Sequence, residues 1–303
     1  MKKSITMGIF FAILAATLYA INSPLSKIIL DYLPPTLTAG FLYLGAGVGM
    51  SAVYFIKKIF AISDEEEKLD KSDLPYVLAM IGLDVLAPIL LLFGLNLTTA
   101  ENASLLNNFE IVATAIIALI VFKEKISPRL WLGIIFVTLS CALLSFENLS
   151  TFSFSYGSLF IVLACVCWGI ENNCTRKLSS KDPFQIVIVK GLCSGACSII
   201  IGLIIREKIT YLWSVFAVLG VGFVAYGLSI FFYVYAQRTL GAARTSAYYA
   251  IAPFIGVLLS FMIFRDMPNI TYFIALLLML IGAYICAKDE PLKIFKRRSK
   301  KTR

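Results

Sequence analysis

Residues 103–122 run for twenty positions with a single charge, Glu110. At about 1.5 Å of rise per residue, a helix of that length crosses a hydrocarbon core of about 30 Å. A central carboxylate opposes insertion by about 2.5–3.5 kcal/mol. The same run carries eleven Leu, Ile, Val and Phe residues, each favouring insertion by roughly 0.3–0.6 kcal/mol. The segment therefore still enters a membrane, and Glu110 has to be answered by a partner or by a function.

The rest of the chain is of the same kind. Of its 303 residues 59% are hydrophobic and 15% charged, with a mean hydropathy of +0.87, which excludes a soluble globular domain of this size. Apolar runs fall at about 7–30, 36–56, 74–95, 103–122, 130–146, 157–174, 184–205, 212–236, 242–264 and 270–287. The linkers are short, the longest being the charged segment 61–73. The expected fold is an all-α polytopic membrane protein with ten transmembrane helices. Met1-Lys2-Lys3 precedes an apolar run too long for a signal peptide, so that run is read as the first span.

Basic residues set the orientation. Of the 27 lysines and arginines, Lys27, Arg206, Lys208 and Arg265 fall on one side and Lys190 within a span. All others fall on the side of the N-terminus, including the 296–301 run KRRSKK. The positive-inside rule then predicts a multi-pass protein of the cell (cytoplasmic) membrane with both termini cytoplasmic. The net charge of +9 reflects this asymmetry and does not argue for nucleic acid.

The chain also repeats itself. A shift of 142 residues pairs Ser104 with Ser246, Ile111 with Pro253 and Phe122 with Phe264. The segments LAATLYAINSPLSK (14–27) and LACVCWGIENNCTR (163–176) align, pairing Tyr19 with Trp168 and Lys27 with Arg176. Gly45-x-x-x-Gly49 in the second span matches Gly191-x-x-x-Gly195 in the seventh, and FGLNLTTA ending the third span matches YAQRTLGA ending the eighth. Residues 1–147 and 148–303 thus read as two five-helix repeats. Five is odd, so the second repeat crosses the membrane in the opposite sense. Inverted repeats are a construction of transporters, with the substrate site near midplane between the copies.

In this arrangement, with FKEKIS at 122–127 and Gly133 in one half, FRDMPN at 264–269 and Gly282 in the other, the chain resembles the EamA-type drug/metabolite transporters. The resemblance covers about residues 7–287. It implies ten helices in an inverted pair, a central cavity lined by both halves, and export or exchange of small metabolites, often amino acids or related compounds. The first repeat departs from the family pattern: Glu110-Ile111 stands where proline is common and where the second repeat has Pro253. The fourth helix is therefore expected to be less bent than the ninth.

Ionisable groups within spans are Asp84, Glu110, Glu171 and Lys190, and an intramembrane charge is a candidate functional residue. The alternative is a structural ion pair, with Lys190 neutralising Glu110 or Asp84; Lys190 is otherwise placed to bind a substrate carboxylate. Asn22, Asn172 and Asn173 are expected to read polar groups of a substrate or to bond between helices. Tyr19, Trp168, Tyr248 and Tyr249 are candidate cavity aromatics, with packing as the alternative. Pro24 and Pro253 are expected to kink their helices and free backbone carbonyls. The glycine pairs are read as helix-packing faces.

There is no histidine, so proton coupling is expected to run through carboxylates, Glu110 first, alternating with an amine-bearing or zwitterionic substrate. The seven cysteines lack metal-site spacing and are read as small packing residues. No metal, no cofactor and no phosphate-binding loop is expected. The partners expected are a small-molecule substrate and the lipid bilayer, and a monomer is compatible with these features. The sequence thus reads as a secondary transporter, an exporter of small metabolites working by alternating access, and not an enzyme. A lipid or glycolipid flippase, which wants a lateral opening, and a membrane-embedded enzyme on lipid-linked substrates, which wants a catalytic cluster at one surface, are the alternatives.

Overall fold

The structure, a computed structural model, describes residues 2–60, 66–122, 127–148, 153–240, 245, 248–265 and 270–287. Apolar runs of membrane length fold into helices because a helix satisfies its own backbone in lipid. The first pass is split into α1 (Lys2–Ala20) and α2 (Asn22–Ile29). The second is α3 (Pro35–Ile59) and the third α4 (Leu74–Asn96). The fourth is again split, into α5 (Ala100–Leu106) and α6 (Phe109–Phe122), and the fifth is α7 (Pro128–Ser145). A short antiparallel hairpin, β1 (Phe146–Asn148) and β2 (Ser153–Phe154), joins the halves.

The second half repeats the plan with α8 (Tyr156–Leu178) and α9 (Pro183–Ile204). The eighth pass runs α10 (Leu212–Val221), a π-helical stretch over Gly222–Leu228, and α11 (Ser229–Leu240). The ninth ends in α12 (Ala252–Phe264), and the tenth is α13 (Ile270–Ala287). Counted as passes, these make ten helices, six of them long and apolar enough to cross a membrane on length and composition alone. Their outward surfaces carry Phe10, Phe55, Leu86, Ile120, Phe216, Met262 and Leu277, which suits lipid and not water.

Packing follows the repeat. The first pass lies against the eighth and the third against the sixth; the fourth lies against the sixth and the first against the ninth. The second pairs with the seventh, the fourth with the ninth and the fifth with the tenth. Exchanging the halves carries each of these contacts onto another or onto itself, as a twofold-related pair of repeats requires.

The α3–α9 crossing is close. A Cβ on Gly195 would lie 2.9 Å from the Gly40 carbonyl oxygen and 2.6 Å from Leu44 N, so only glycine admits this approach. Gly45 and Gly49 face instead the eighth pass at Leu219 and Phe223. The two glycine pairs therefore pack on different neighbours, not on each other.

Loops tie the halves at both ends. Glu207, from the loop after α9, accepts hydrogen bonds from Thr36 N (3.2 Å) and Leu37 N (2.8 Å) at the first turn of α3, where the helix dipole favours a carboxylate. On the N-terminal face the linker after α3 crosses to the other half. Lys181 meets Glu67 (2.5 Å), Asp70 (3.1 Å) and Asp73 (3.5 Å), while Arg238 meets Glu66 (2.7 Å) and the backbone carbonyls of Ser179 and Lys181. Hydrogen bonds from Ser72 and Lys181 pull the Asp70 carboxyl down to about 2, and bonds to Glu67 and Asp70 hold the Lys181 ammonium above its ordinary range. The KEKI residues at 123–126, the DMPN residues at 266–269, Ser246 and the basic tail lie outside the described residues.

Candidate functional site

Three broken passes meet at the centre of the bundle. In the first, Pro24 has no N–H for the Ala20 carbonyl, and the helix breaks at Ile21. The freed oxygen faces α12, where a Cβ on Gly256 would come within 3.2 Å of it. In the ninth, the chain turns at Ala250–Ile251 just before Pro253.

The fourth pass contradicts the expectation of a straighter helix. It breaks at Asn107–Asn108, directly before Glu110, with Glu110 N and Ile111 N bonding back three residues to Asn107 and Asn108. Asparagine is at home in turns, and this dipeptide breaks the fourth pass about where proline breaks the ninth. The Cys165 thiol, 3.6 Å from the Leu106 carbonyl, is a donor for the oxygen left free at the break, a role beyond packing.

Between the breaks lies a small cavity of about 60 Å³, room for a few waters. Its walls come from both halves: Tyr19, Tyr43 and Glu110 from the first, and Trp168, Glu171, Asn172, Thr175, Lys190, Tyr226, Tyr233 and Tyr249 from the second. The Tyr19 ring lies 6.5 Å from Trp168, 5.8 Å from Tyr226 and 5.7 Å from Tyr249, centre to centre. The repeat thus places its paired aromatics, Tyr19 and Trp168, edge to face across the pseudo-axis.

The charges divide into two groups. Lys190 Nζ stands 2.9 Å from Glu171 Oε1 and 3.0 Å from Asp84 Oδ2, and all three side chains are buried. Tyr43 donates to the other Asp84 oxygen at 2.7 Å, and Thr175 donates to Glu171. Of the two partners expected for Lys190, Asp84 is taken and Glu110 is not, while Glu171 supplies the second carboxylate. Glu110 instead accepts a hydrogen bond from Asn172 Nδ2 at 2.6 Å. Among the described residues no cation lies within ion-pair distance of it. Asn22, fully buried, donates to Tyr226 OH at 3.3 Å and accepts from Ser26 at 3.0 Å.

One expected residue falls elsewhere. Of the two adjacent tyrosines expected at the cavity, Tyr249 is part of the wall and Tyr248, 37% exposed, is not. Several residues of the site gave no separate sequence signal. Tyr43 and Thr175 sit in ordinary apolar helices, and Tyr226 in the π-helical stretch of the eighth pass. Only the Asn107-Asn108 pair, two turn-forming residues inside a span, was open to detection. Among the described residues no group of His, Cys, Asp and Glu is arranged to hold a metal.

Comparison with known proteins agrees with this architecture. The chain is 27% identical over 297 residues to an uncharacterized transporter of Methanothermobacter thermautotrophicus, covering 91% of this chain and 85% of the relative. It is 24% identical over 247 residues to the uncharacterized transporter YyaM of Bacillus subtilis, covering 78% and 79%. A solved crystal structure superposes with a TM-score of 0.66 over 93% of this chain and 95% of that one, at 17% identity, a likeness of fold. The profile of the EamA-like transporter family matches twice, over residues 6–146 and 155–287. The chain is a multi-pass membrane protein, and it belongs to the EamA-like transporter family.

Proposed function

We propose that the chain is a secondary transporter that exports small metabolites, amino acids or related compounds, by alternating access around the central cavity. We place it in the cytoplasmic membrane with both termini in the cytoplasm, on the strength of the basic residues gathered at that face. The observation that carries the reading is Glu110. It is a half-buried carboxylate in an aromatic cavity between the halves, held by an amide of the opposite half and, among the described residues, without a cation at ion-pair distance. In this reading Glu110 takes up either a proton or the positively charged nitrogen of a substrate, and the exchange couples proton entry to export. The aromatic faces around it favour a cation further. Lys190, held between Asp84 and Glu171, keeps the site assembled.

The test is the extracellular metabolite profile of cells expressing the wild type, Glu110→Gln or an empty vector at matched membrane levels. The reading expects one class of nitrogen-bearing compounds to accumulate outside the wild type alone. Equal profiles for the wild type and Glu110→Gln remove Glu110 from the mechanism. Equal profiles for all three remove the export reading.

A further inference from the structure

The outer half of the fourth pass carries a row of polar side chains with no part in the cavity. Glu101, Ser104 and Asn108 follow one another at three- and four-residue spacing, which sets them along one face as α5 runs into the break. They are 3%, 3% and 1% exposed. Among the described residues, Glu101 Oε1, Ser104 Oγ and both polar atoms of the Asn108 amide have no hydrogen-bond partner. The helix that packs against α5 here is α12, where a Cβ on Gly256 would lie 2.9 Å from Ser104 Oγ. One turn beyond Gly256, Ser260 is fully buried with its hydroxyl equally unmatched. Each such group forfeits about 1–3 kcal/mol unless a partner reaches it, and in protein interiors that partner is commonly a water.

Water-sized space lies at both ends of the row. At the inner end a cleft of about 20 Å³, room for one water, touches Asn108 and Glu110, with Tyr19 and Tyr249 among its other walls. At the outer end an open cleft of about 450 Å³ is lined by Lys27, Thr99 and Asn102, around the first turn of α5. Glu101 lies near enough to Lys27 and to Tyr272 of the tenth pass for its charge to act on both. In the orientation proposed above, the row therefore leads from the outer face down to Glu110. The central cavity meets Glu110 beside Asn172, which has no part in the small cleft.

We propose that this row is the path by which protons reach Glu110 from the outer face. Glu101 takes a proton from water in the outer cleft. The proton passes inward over the Ser104 hydroxyl and buried water, each link accepting one proton as it releases another, and the last is left on the Glu110 carboxylate. Asn108 carries no proton; its amide holds the final water against Glu110 and is a positioning residue. Proton and substrate thus arrive at Glu110 by separate routes. This inference rests on the proton-exchange reading above.

The experiment uses purified protein in proteoliposomes and a compound identified in the wild-type export profile. Two rates are compared: accumulation driven by an imposed pH gradient, and exchange of labelled for unlabelled compound without a gradient. The proposal expects Glu101→Gln to slow the first about a hundredfold and leave the second at the wild-type rate, with Glu101→Asp recovering much of the loss. Ser104→Ala, which removes a single oxygen, is expected to separate the two rates in the same direction, and it decides alone should Glu101→Gln not fold. Gradient-driven accumulation undiminished in these variants overturns the path. So does an equal fall in both rates, which makes the row structural. A wild type that transports but ignores the gradient overturns the proton reading of Glu110 first, and the path with it; absence of any transported compound does the same to the export reading.

Discussion

Two contacts at equivalent places in the repeat have opposite chemistry. Where the first pass meets the eighth, Asn22 donates to Tyr226. By the offsets of the repeat, the matching residues where the sixth meets the third are Glu171 and Asp84. The first contact is neutral and complete in itself. The second sets two carboxylates facing each other, and Lys190 from the seventh pass stands between them. The residue matching Lys190 in the second pass is Leu44, where no cation is needed. Tyr43 belongs to both contacts: its hydroxyl donates to Asp84, and its ring packs 4.9 Å from that of Tyr226. One scaffold therefore carries a neutral joint on one side of its pseudo-axis and a charged joint on the other. Asymmetry of this kind has to come from side chains, because the backbone plan is shared.

The comparison breaks most visibly at Lys190. Lys190→Met leaves two buried acids uncompensated, and removal of one member of such a cluster reduces stability by about 3–5 kcal/mol. Thermal unfolding in nanodiscs should show a marked loss, recovered in large part by adding Asp84→Asn and Glu171→Gln. A variant as stable as the wild type would mean that the cluster holds no charge together. The neutral joint should be far less sensitive. Asn22→Ala removes one interhelical hydrogen bond, of the order of 0.6 kcal/mol; a loss as large as that of Lys190→Met would erase the distinction between the joints.

A smaller effect tests the tie on the N-terminal face. The Asp70 carboxyl is drawn down to about 2, below its unfolded value of about 4. A depressed carboxyl stabilises the folded strap at every pH above about 4, and that contribution disappears as the pH falls towards 2. Hydrogen-exchange protection over residues 66–73, relative to the intrinsic rate at each pH, should therefore hold from neutral pH down to about 4 and fall below it. In Asp70→Asn the protection should be lower at neutral pH and lose that dependence. The strap lies at the surface, where such pairs are weak, so the change is expected in local protection and not in global unfolding.

Much of the architecture was legible because the membrane simplifies it. A twenty-residue apolar run has few alternatives, and ten such runs with a fivefold offset between matching motifs give the repeat. Tyr19 and Trp168 were legible as cavity candidates because they are aromatics at matching positions of the two halves, Glu110 because it is a charge within a span, and Asn172 because it is an amide within one. The pairing of charges was not. Whether Lys190 reaches Glu110 or Asp84 depends on the rotation of α9 against α3, fixed by Gly40 and Gly195, and no spacing within one helix contains that. The break at Asn107–Asn108 was hidden by reading Glu110-Ile111 as the counterpart of Pro253. The polarity of the residue was noticed, while the turn-forming pair ahead of it was absorbed into the span.

The most direct measurement is transport of an exported compound by purified protein in proteoliposomes, with and without an imposed pH gradient, for the wild type and Glu110→Gln. If Glu110 exchanges a proton for substrate, the gradient drives accumulation by the wild type, and Glu110→Gln no longer responds to it. Transport by the wild type that ignores the gradient, or a Glu110→Gln variant that follows it equally well, would contradict the role given to this carboxylate.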